Sequence, residues 1–285
     1  MANGEGAINL RDWIGREVVA DDTINAAPLI GLSATLDRDD ALPRNGDDVP
    51  PLWHWLYFLP RTPMRDVGAD GHARLGGFTP PVGLPRRMWA GSRLTFMHAL
   101  QVGDAVRKVT RIADITEKTG ASGRLVFIAI HHTVHSPRGL AIREEQDIVY
   151  REMPRPGLGA ARNVEVVPMP SFSRTIAPDA VLLFRYSALT FNSHRIHYDR
   201  RYVTEVEGYP GLVVHGPLIA TLLLDLLRRE RPLAQVRSLT FKALRPLFDT
   251  ATFTVHGAED GPTGYRLWAT NDQGQLAAQA AVEIA

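Results

Sequence analysis

The sequence predicts an α+β protein made of two similar halves, each an antiparallel sheet curled around one buried helix. Three features carry this reading: long alternating runs joined by short turns, one strongly apolar helix ahead of the second set of runs, and a pattern repeated at a fixed offset. Leu94-Thr95-Phe96 recurs as Leu239-Thr240-Phe241, and Asp104 recurs as Asp249, each 145 residues on. Between the copies, 153–160 reads M-P-R-P-G-L-G-A, a linker by its prolines and glycines. The halves are therefore taken as 1–153 and 161–285.

In the first half the helix candidate is P-L-W-H-W-L-Y-F-L at 51–59. The stretch 60–87 that follows is rich in proline and glycine and has no periodicity, which in a compact domain reads as a lid over a ligand. Three strands are expected at 104–118, 123–135 and 139–151, a meander with short connections. Each Leu-Thr-Phe is read as the opening of a strand-like run.

The second half begins with a helical stretch at 178–189 and then a polar run, S-A-L-T-F-N-S-H-R-I-H-Y-D, at 187–199. A helix is expected at 217–229, apolar on most of its circumference and so suited to burial inside a sheet. Pro217 suits a first turn, where its missing N–H is not needed, and Arg228 and Arg229 suit the negative end of the helix dipole. Four strands close the chain at 236–245, 250–256, 264–269 and 275–284.

Composition narrows the function classes. The 285 residues are 45% hydrophobic and 22% charged, with 32 basic and 31 acidic side chains, so no polycationic nucleic-acid surface is expected. The absence of cysteine excludes disulfides, thiolate metal ligands and a thiol nucleophile. No apolar run reaches the roughly 18 residues that span a bilayer, and the N-terminus lacks a signal-peptide pattern, so no membrane association and a cytoplasmic location are expected. The His131-His132-x-x-His135 cluster invites a metal reading, but on a strand His132 faces away from the other two, and no metal is expected.

The chemistry-bearing residues gather in two places. Asn192, His194, His197 and Asp199 lie within eight residues, and His215-Gly216 stands at the mouth of the buried helix. The unpaired N–H groups of a first helical turn form an acceptor for developing negative charge.

On these residues the chain resembles the MaoC-like (R)-specific enoyl-thioester hydratases, whose motif reads D-x-N-P, an aliphatic residue and H, followed by H-G at the start of the hot-dog helix. The wording T-F-N-S-H-R-I-H-Y-D and P-L-W-H-W-L-Y-F-L-P is similar to one branch of that family, which holds the mesaconyl-C4-CoA and itaconyl-CoA hydratases and two-domain 3-hydroxyacyl-thioester dehydratases. The resemblance implies a double hot-dog fold in which the second half carries the motif and the first shapes the acyl pocket. It places Asn192 on the motif's aspartate, His194 on its asparagine, Arg195 on its proline, His197 on its histidine, and Gly216 on the glycine whose N–H binds the thioester oxygen.

Because an amide cannot accept a proton, proton transfer is expected mainly from His197, with Asn192 orienting water. His194, Arg195, Asp199, Arg201 and His215 are the expected substrate contacts, Arg195, Arg200 or Arg201 meeting a second carboxylate and Arg174 or Arg245 the coenzyme A phosphates. The implied reaction hydrates an enoyl-CoA, a branched dicarboxylic one first and a 3-hydroxyacyl thioester of fatty acid metabolism second. It needs no metal or redox cofactor, coenzyme A entering as part of the substrate. The expected partner is the acyl-CoA itself, with a homodimer open. An acyl-CoA-binding subunit without activity, or a thioesterase, is the reading from another class.

Overall fold

The computed structural model describes residues 8–120, 123–152 and 168–285. The expected linker at 153–160 lies outside these residues. The fold is one ten-stranded antiparallel sheet built from two five-stranded halves. In the first half β1 (Glu17–Thr23), α1 (Ala26–Thr35) and β2 (Arg86–Phe96) precede the meander β3 (Ala105–Gly120), β4 (Gly123–Ser136) and β5 (Gly139–Arg151). The second half carries β6 (Phe172–Ile176), α2 (Ala180–Leu189), α3 (Gly216–Glu230) and the strands β7 (Val236–Ala243), β8 (Phe253–Glu259), β9 (Gly264–Thr270) and β10 (Leu276–Ile284).

The strand order is β1-β3-β4-β5-β2-β7-β10-β9-β8-β6. Read outward from the β2–β7 seam, the two halves repeat each other: β5 answers β10, β4 answers β9, β3 answers β8 and β1 answers β6. At the seam Leu94 pairs with Leu239, so the repeated tripeptides meet across a local two-fold axis. In β2 the Leu-Thr-Phe closes the strand and does not open one, which corrects the expectation from sequence.

Helix α3 is the buried axis of the second half, with Leu218 to Leu227 all buried. Each leucine so placed contributes about 1.5–3 kcal/mol relative to exposure. Asp225 sits on this apolar helix with its carboxylate taken by Arg38 at 2.7 Å, Arg229 at 2.8 Å and Arg174 at 3.1 Å. These ion pairs tie the C-terminal half of α3 to the segment after α1 and to β6.

The helix of the first half is α1, not the expected 51–59 stretch, which forms only a 3-10 turn at Trp53–Leu56. Pro28 falls in the first turn of α1, where no N–H is required. Gly31 gives α1 its close approach to α2: a Cβ there would stand 2.7 Å from Leu189 Cδ2. Among the described residues, no helix is long and apolar enough to cross a membrane.

Candidate active site

The motif segment is shaped by two sharp turns. After α2 the backbone of Phe191 enters the left-handed region at φ 48°, reversing the chain. The Asn192 N–H then donates to Ser187 O at 2.8 Å, and its side-chain oxygen accepts from His194 N at 3.0 Å. This Asx turn occupies the Asn192 carbonyl and leaves its NH2 group as a donor at the cavity wall.

A 3-10 turn at Arg195–His197 follows and carries His197 inward. Its Nδ1 lies 2.7 Å from Val213 O. A carbonyl only accepts, so Nδ1 carries the hydrogen and Nε2 keeps its lone pair. The Val213 N–H in turn donates to Ile196 O at 2.9 Å, lacing the motif to the strand-like approach of α3.

His215 stacks on His197, with centroids 3.7 Å apart and planes 18° apart. It is fully buried, and its Nε2 meets Ser187 Oγ at 2.8 Å. His215 therefore backs His197 and does not line the cavity, unlike the direct substrate contact expected from sequence. Gly216, the next residue, opens α3 and faces the indole of Trp89. A Cβ at Gly216 would lie 2.7 Å from Trp89 Cε3, so a side chain here collides with the ring that covers the first-turn amides. Trp89 stacks on Phe241 at 4.9 Å and meets Trp55 edge-on at 5.9 Å, forming an aromatic wall. The buried Glu144 braces that wall, accepting from Trp55 Nε1 at 3.1 Å, Ser92 Oγ at 2.9 Å and Gln146 Nε2 at 2.8 Å.

Burial holds all three imidazoles of the site neutral. It pushes His197 down to about 4 against the opposing Val213 hydrogen bond, and pushes His194 down to about 2 with help from the neighbouring His72. His215 lies well below its ordinary value for the same reason.

A part of the 60–87 segment of the first half packs against these rings. Gly71 takes φ 93° directly against the Ser193 backbone, where a side chain would not fit. The Arg195 N–H donates to Asp70 O at 2.9 Å, and the Arg195 guanidinium reaches Ala69 O at 3.0 Å. His72 thereby lies against His194, centroids 4.0 Å apart, and bonds Asp70 through Nδ1 at 2.9 Å. Asp70, His72 and His194 offer one ligand atom each within 4.8 Å of one another, the spacing a metal ion would need. Nothing in the sequence pattern links residue 72 to residue 197, and the dyad was not legible there.

These elements enclose a cleft of about 2040 Å³ lined by both halves, including Asn192, His194, His197 and Gly216. That is twice the roughly 1,000 Å³ of a large drug-sized pocket, room for an extended ligand. The arginines expected from sequence stand elsewhere. Arg195 and Asp199 pair with each other at 2.7 Å outside the lining, and Arg201 pairs with Glu205 at the surface. Arg200 is held by Asp249 and Arg174 by Asp225, so neither is free for a ligand. Arg245 lines the cleft. Sequence reasoning missed other cations that line the cleft, Arg87, Arg93, Arg151 and Lys242; of these Arg87 makes no ion pair among the described residues and lies close enough to His194 to depress its protonation. His132 faces away from His131 and His135, as the strand alternation expects: it turns inward, opposite Glu144 across β4 and β5, with Nδ1 on Thr110 Oγ1 at 2.8 Å.

A double hot-dog sheet, an imidazole with a free Nε2, and a glycine amide at the head of the buried helix define the MaoC-like class of thioester hydro-lyases. The family model for hydroxyacyl-thioester dehydratase type 2 matches residues 52–249, and the chain belongs to this family. It is 46% identical over 275 residues to mesaconyl-C(4)-CoA hydratase of Chloroflexus aurantiacus, covering 95% of this chain and 96% of the relative. The mitochondrial hydroxyacyl-thioester dehydratase type 2 of Schizosaccharomyces pombe is 26% identical, covering 86% of this chain and 91% of the relative. Among solved structures, HtdX of Mycobacterium tuberculosis superposes with a TM-score of 0.67 at 20% identity, covering 95% of this chain and all of that one. A Mycobacterium tuberculosis protein described as a double hotdog fold superposes with a TM-score of 0.60 at 13% identity, covering 95% and 96%. The structures establish the fold.

Proposed function

We propose that the protein hydrates a branched dicarboxylic enoyl-CoA, mesaconyl-C4-CoA or itaconyl-CoA, to citramalyl-CoA. What supports the chemistry is that His197, whose Nε2 keeps its lone pair, and Gly216, at the head of α3, line the same cleft. Water attacks the β carbon as His197 Nε2 takes its proton, and charge moves to the thioester oxygen. The first-turn amide of α3 stabilises that enolate, a type of donor whose removal costs roughly 3–4 kcal/mol in other enzymes. The buried, water-poor wall strengthens the same interaction. Coenzyme A enters with the substrate, and no metal or redox group has a step to perform.

The acyl group follows from Arg87 and from the hydratase that shares nearly half of its residues with this chain. Arg87 and Trp89 lie two residues apart on β2, so their backbone positions are about 7 Å apart along the strand, and both line the cleft. We take Arg87 as the partner of a carboxylate on the far side of the double bond. An anionic acyl group also raises the basicity of His197 when it binds, which suits the proton step. Residues 192–216 supply the catalytic half and β2 with the 60–87 segment the acyl pocket. We place the enzyme in the cytoplasm, acting as a monomeric pseudo-dimer or a homodimer.

The second reading is dehydration of a 3-hydroxyacyl thioester, favoured by the fungal dehydratases of the same family. Following the enoyl-thioester absorbance with mesaconyl-C4-CoA and crotonyl-CoA, and formation of citramalyl-CoA from itaconyl-CoA, whose double bond is not conjugated to the thioester, separates them. The proposal expects kcat/KM at least tenfold higher for a dicarboxylic substrate. Equal or greater activity on the monocarboxylic one overturns it.

A further inference from the structure

Hydration moves two protons, one off the water and one onto the α carbon, and His197 accounts for only the first. At the motif's other proton-transfer position stands Asn192, an amide whose oxygen is already engaged with the His194 N–H. Asp199, the nearest carboxylate in sequence, is held by Arg195 and by the Tyr202 N–H and does not line the cleft. The Asp147 carboxylate does line it, but is clamped by Arg93 at 2.8 Å. His194 lines it as well, half-buried and without an ion pair to a carboxylate of its own among the described residues.

His72 remains. It lines the cleft and carries its own carboxylate, Asp70 Oδ2, at 2.9 Å from Nδ1. His194 stands between it and His197, 4.0 Å from one ring and 5.3 Å from the other. The rings of His72 and His197 thus stand on either side of His194 along one wall of the cleft. The dyad is also fixed in place, since the backbone at 69–71 is bonded to the motif at Ser193 and Arg195.

We propose that His72, oriented by Asp70, is the second proton-transfer residue, so that the carboxylate missing from the motif is supplied by the segment that closes over it. The proposal rests on the hydratase reading above. In the forward direction the water oxygen bonds to the β carbon, His197 Nε2 takes a water proton, and the π electrons move onto the thioester oxygen. His72 enters this step as the imidazolium, its Nδ1–H held by Asp70; the enolate returns its electron pair to the α carbon, which takes the Nε2 proton and leaves His72 neutral. His197 is left with one proton more and His72 with one fewer. Transfer by way of His194 or water restores both, and the net change is one water added.

The test measures hydration kinetics of the full chain as wild type, His197→Ala, His72→Ala, His72→Gln, Asp70→Asn and Asp70→Glu, with the fold of each checked by circular dichroism. The His72 variants are expected to lose at least a hundredfold in kcat with KM changed less than threefold. Asp70→Asn is expected to lose about tenfold, with Asp70→Glu retaining more. Adding Asn192→Asp to His72→Gln is expected to return at least tenfold, because it restores a carboxylate at the motif position. If the folded His72→Gln enzyme keeps kcat within threefold of wild type, the proposal is wrong. It is equally wrong if the loss is a KM effect alone, the mark of a segment that only covers the substrate. Inactivation of wild type by a chelator with recovery on adding zinc also overturns it, assigning Asp70, His72 and His194 to a metal. A wild-type enzyme inactive on every enoyl-CoA overturns the hydratase reading itself, an outcome distinct from an active enzyme indifferent to residue 72.

Discussion

His197 lies flat against His215, ring centroids 3.7 Å apart, while its Nδ1 is fastened to the carbonyl of Val213. The stack fixes the ring plane and the hydrogen bond fixes the tautomer. His197→Ala removes the base and is expected to lower kcat by roughly 10²–10⁴-fold. His215→Phe keeps a flat partner but strands Ser187, and is expected to cost less, about tenfold. Steady-state kinetics of both variants check the ordering.

The neutral imidazoles set a pH signature. In the unfolded chain each titrates near 6.5, whereas folded His197 takes its proton at about 4 and His194 at about 2. As pH falls below 6.5 the unfolded state binds protons that the native state refuses, so stability is complete above 6.5 and is lost on acidification. Each such histidine adds up to about 1.4 kcal/mol per pH unit between 6.5 and its folded value. Urea midpoints from pH 7.5 to 4.5 are expected to fall, and to fall less steeply in His194→Gln. The acid limb of kcat/KM in the free enzyme is expected near 4.

Gly216→Ala places a methyl against the Trp89 ring, 2.7 Å from Cε3. Because Phe241 stacks behind the indole, the ring has little room to retreat. The expected result is a loss of about 10²-fold in kcat/KM, part of which Trp89→Leu returns in the double variant.

Arg87→Gln tests the acyl preference. A charge-assisted pair is worth about 1.5–3 kcal/mol, so kcat/KM for a dicarboxylic enoyl-CoA is expected to fall between tenfold and 150-fold. Crotonyl-CoA, with no second carboxylate, is expected to change less than threefold. Equal losses on both substrates assign Arg87 to general electrostatics of the cleft.

Asp225→Ala leaves Arg38, Arg174 and Arg229 without their shared anion in a largely buried site. Removing one partner of a buried ionic cluster costs about 3–5 kcal/mol, and a corresponding drop in the urea midpoint is expected with kcat intact in the folded fraction.

How far the sequence reached depended on periodicity. The meander strands β3, β4 and β5 alternate cleanly between glycine-marked turns, and α3 carries its own start and stop signals. Strand β1, E-V-V-A-D-D-T, is an exposed edge with no inward face, so no alternation marks it. Strand β2 is broken by a bulge between Trp89 and Gly91, and its first residues read as loop. Helix α1 holds a proline and a glycine that tertiary contacts tolerate and propensity does not. At the site, His197 and Gly216 were legible because they lie on one contiguous pattern. His72, Arg87 and Glu144 were not, because His72 and Arg87 reach the cleft from other elements and Glu144 braces its wall from behind.

The pairing of Gly91 with Lys242 and of Leu94 with Leu239 runs a continuous ladder of backbone hydrogen bonds beneath the cleft. Trp89 stands on β2 of that ladder, and Gly216 heads α3, the helix buried inside the second half of the same sheet. The 60–87 segment, bonded to the motif through Gly71 and Arg195, is a part of the cleft wall that lies outside that ladder.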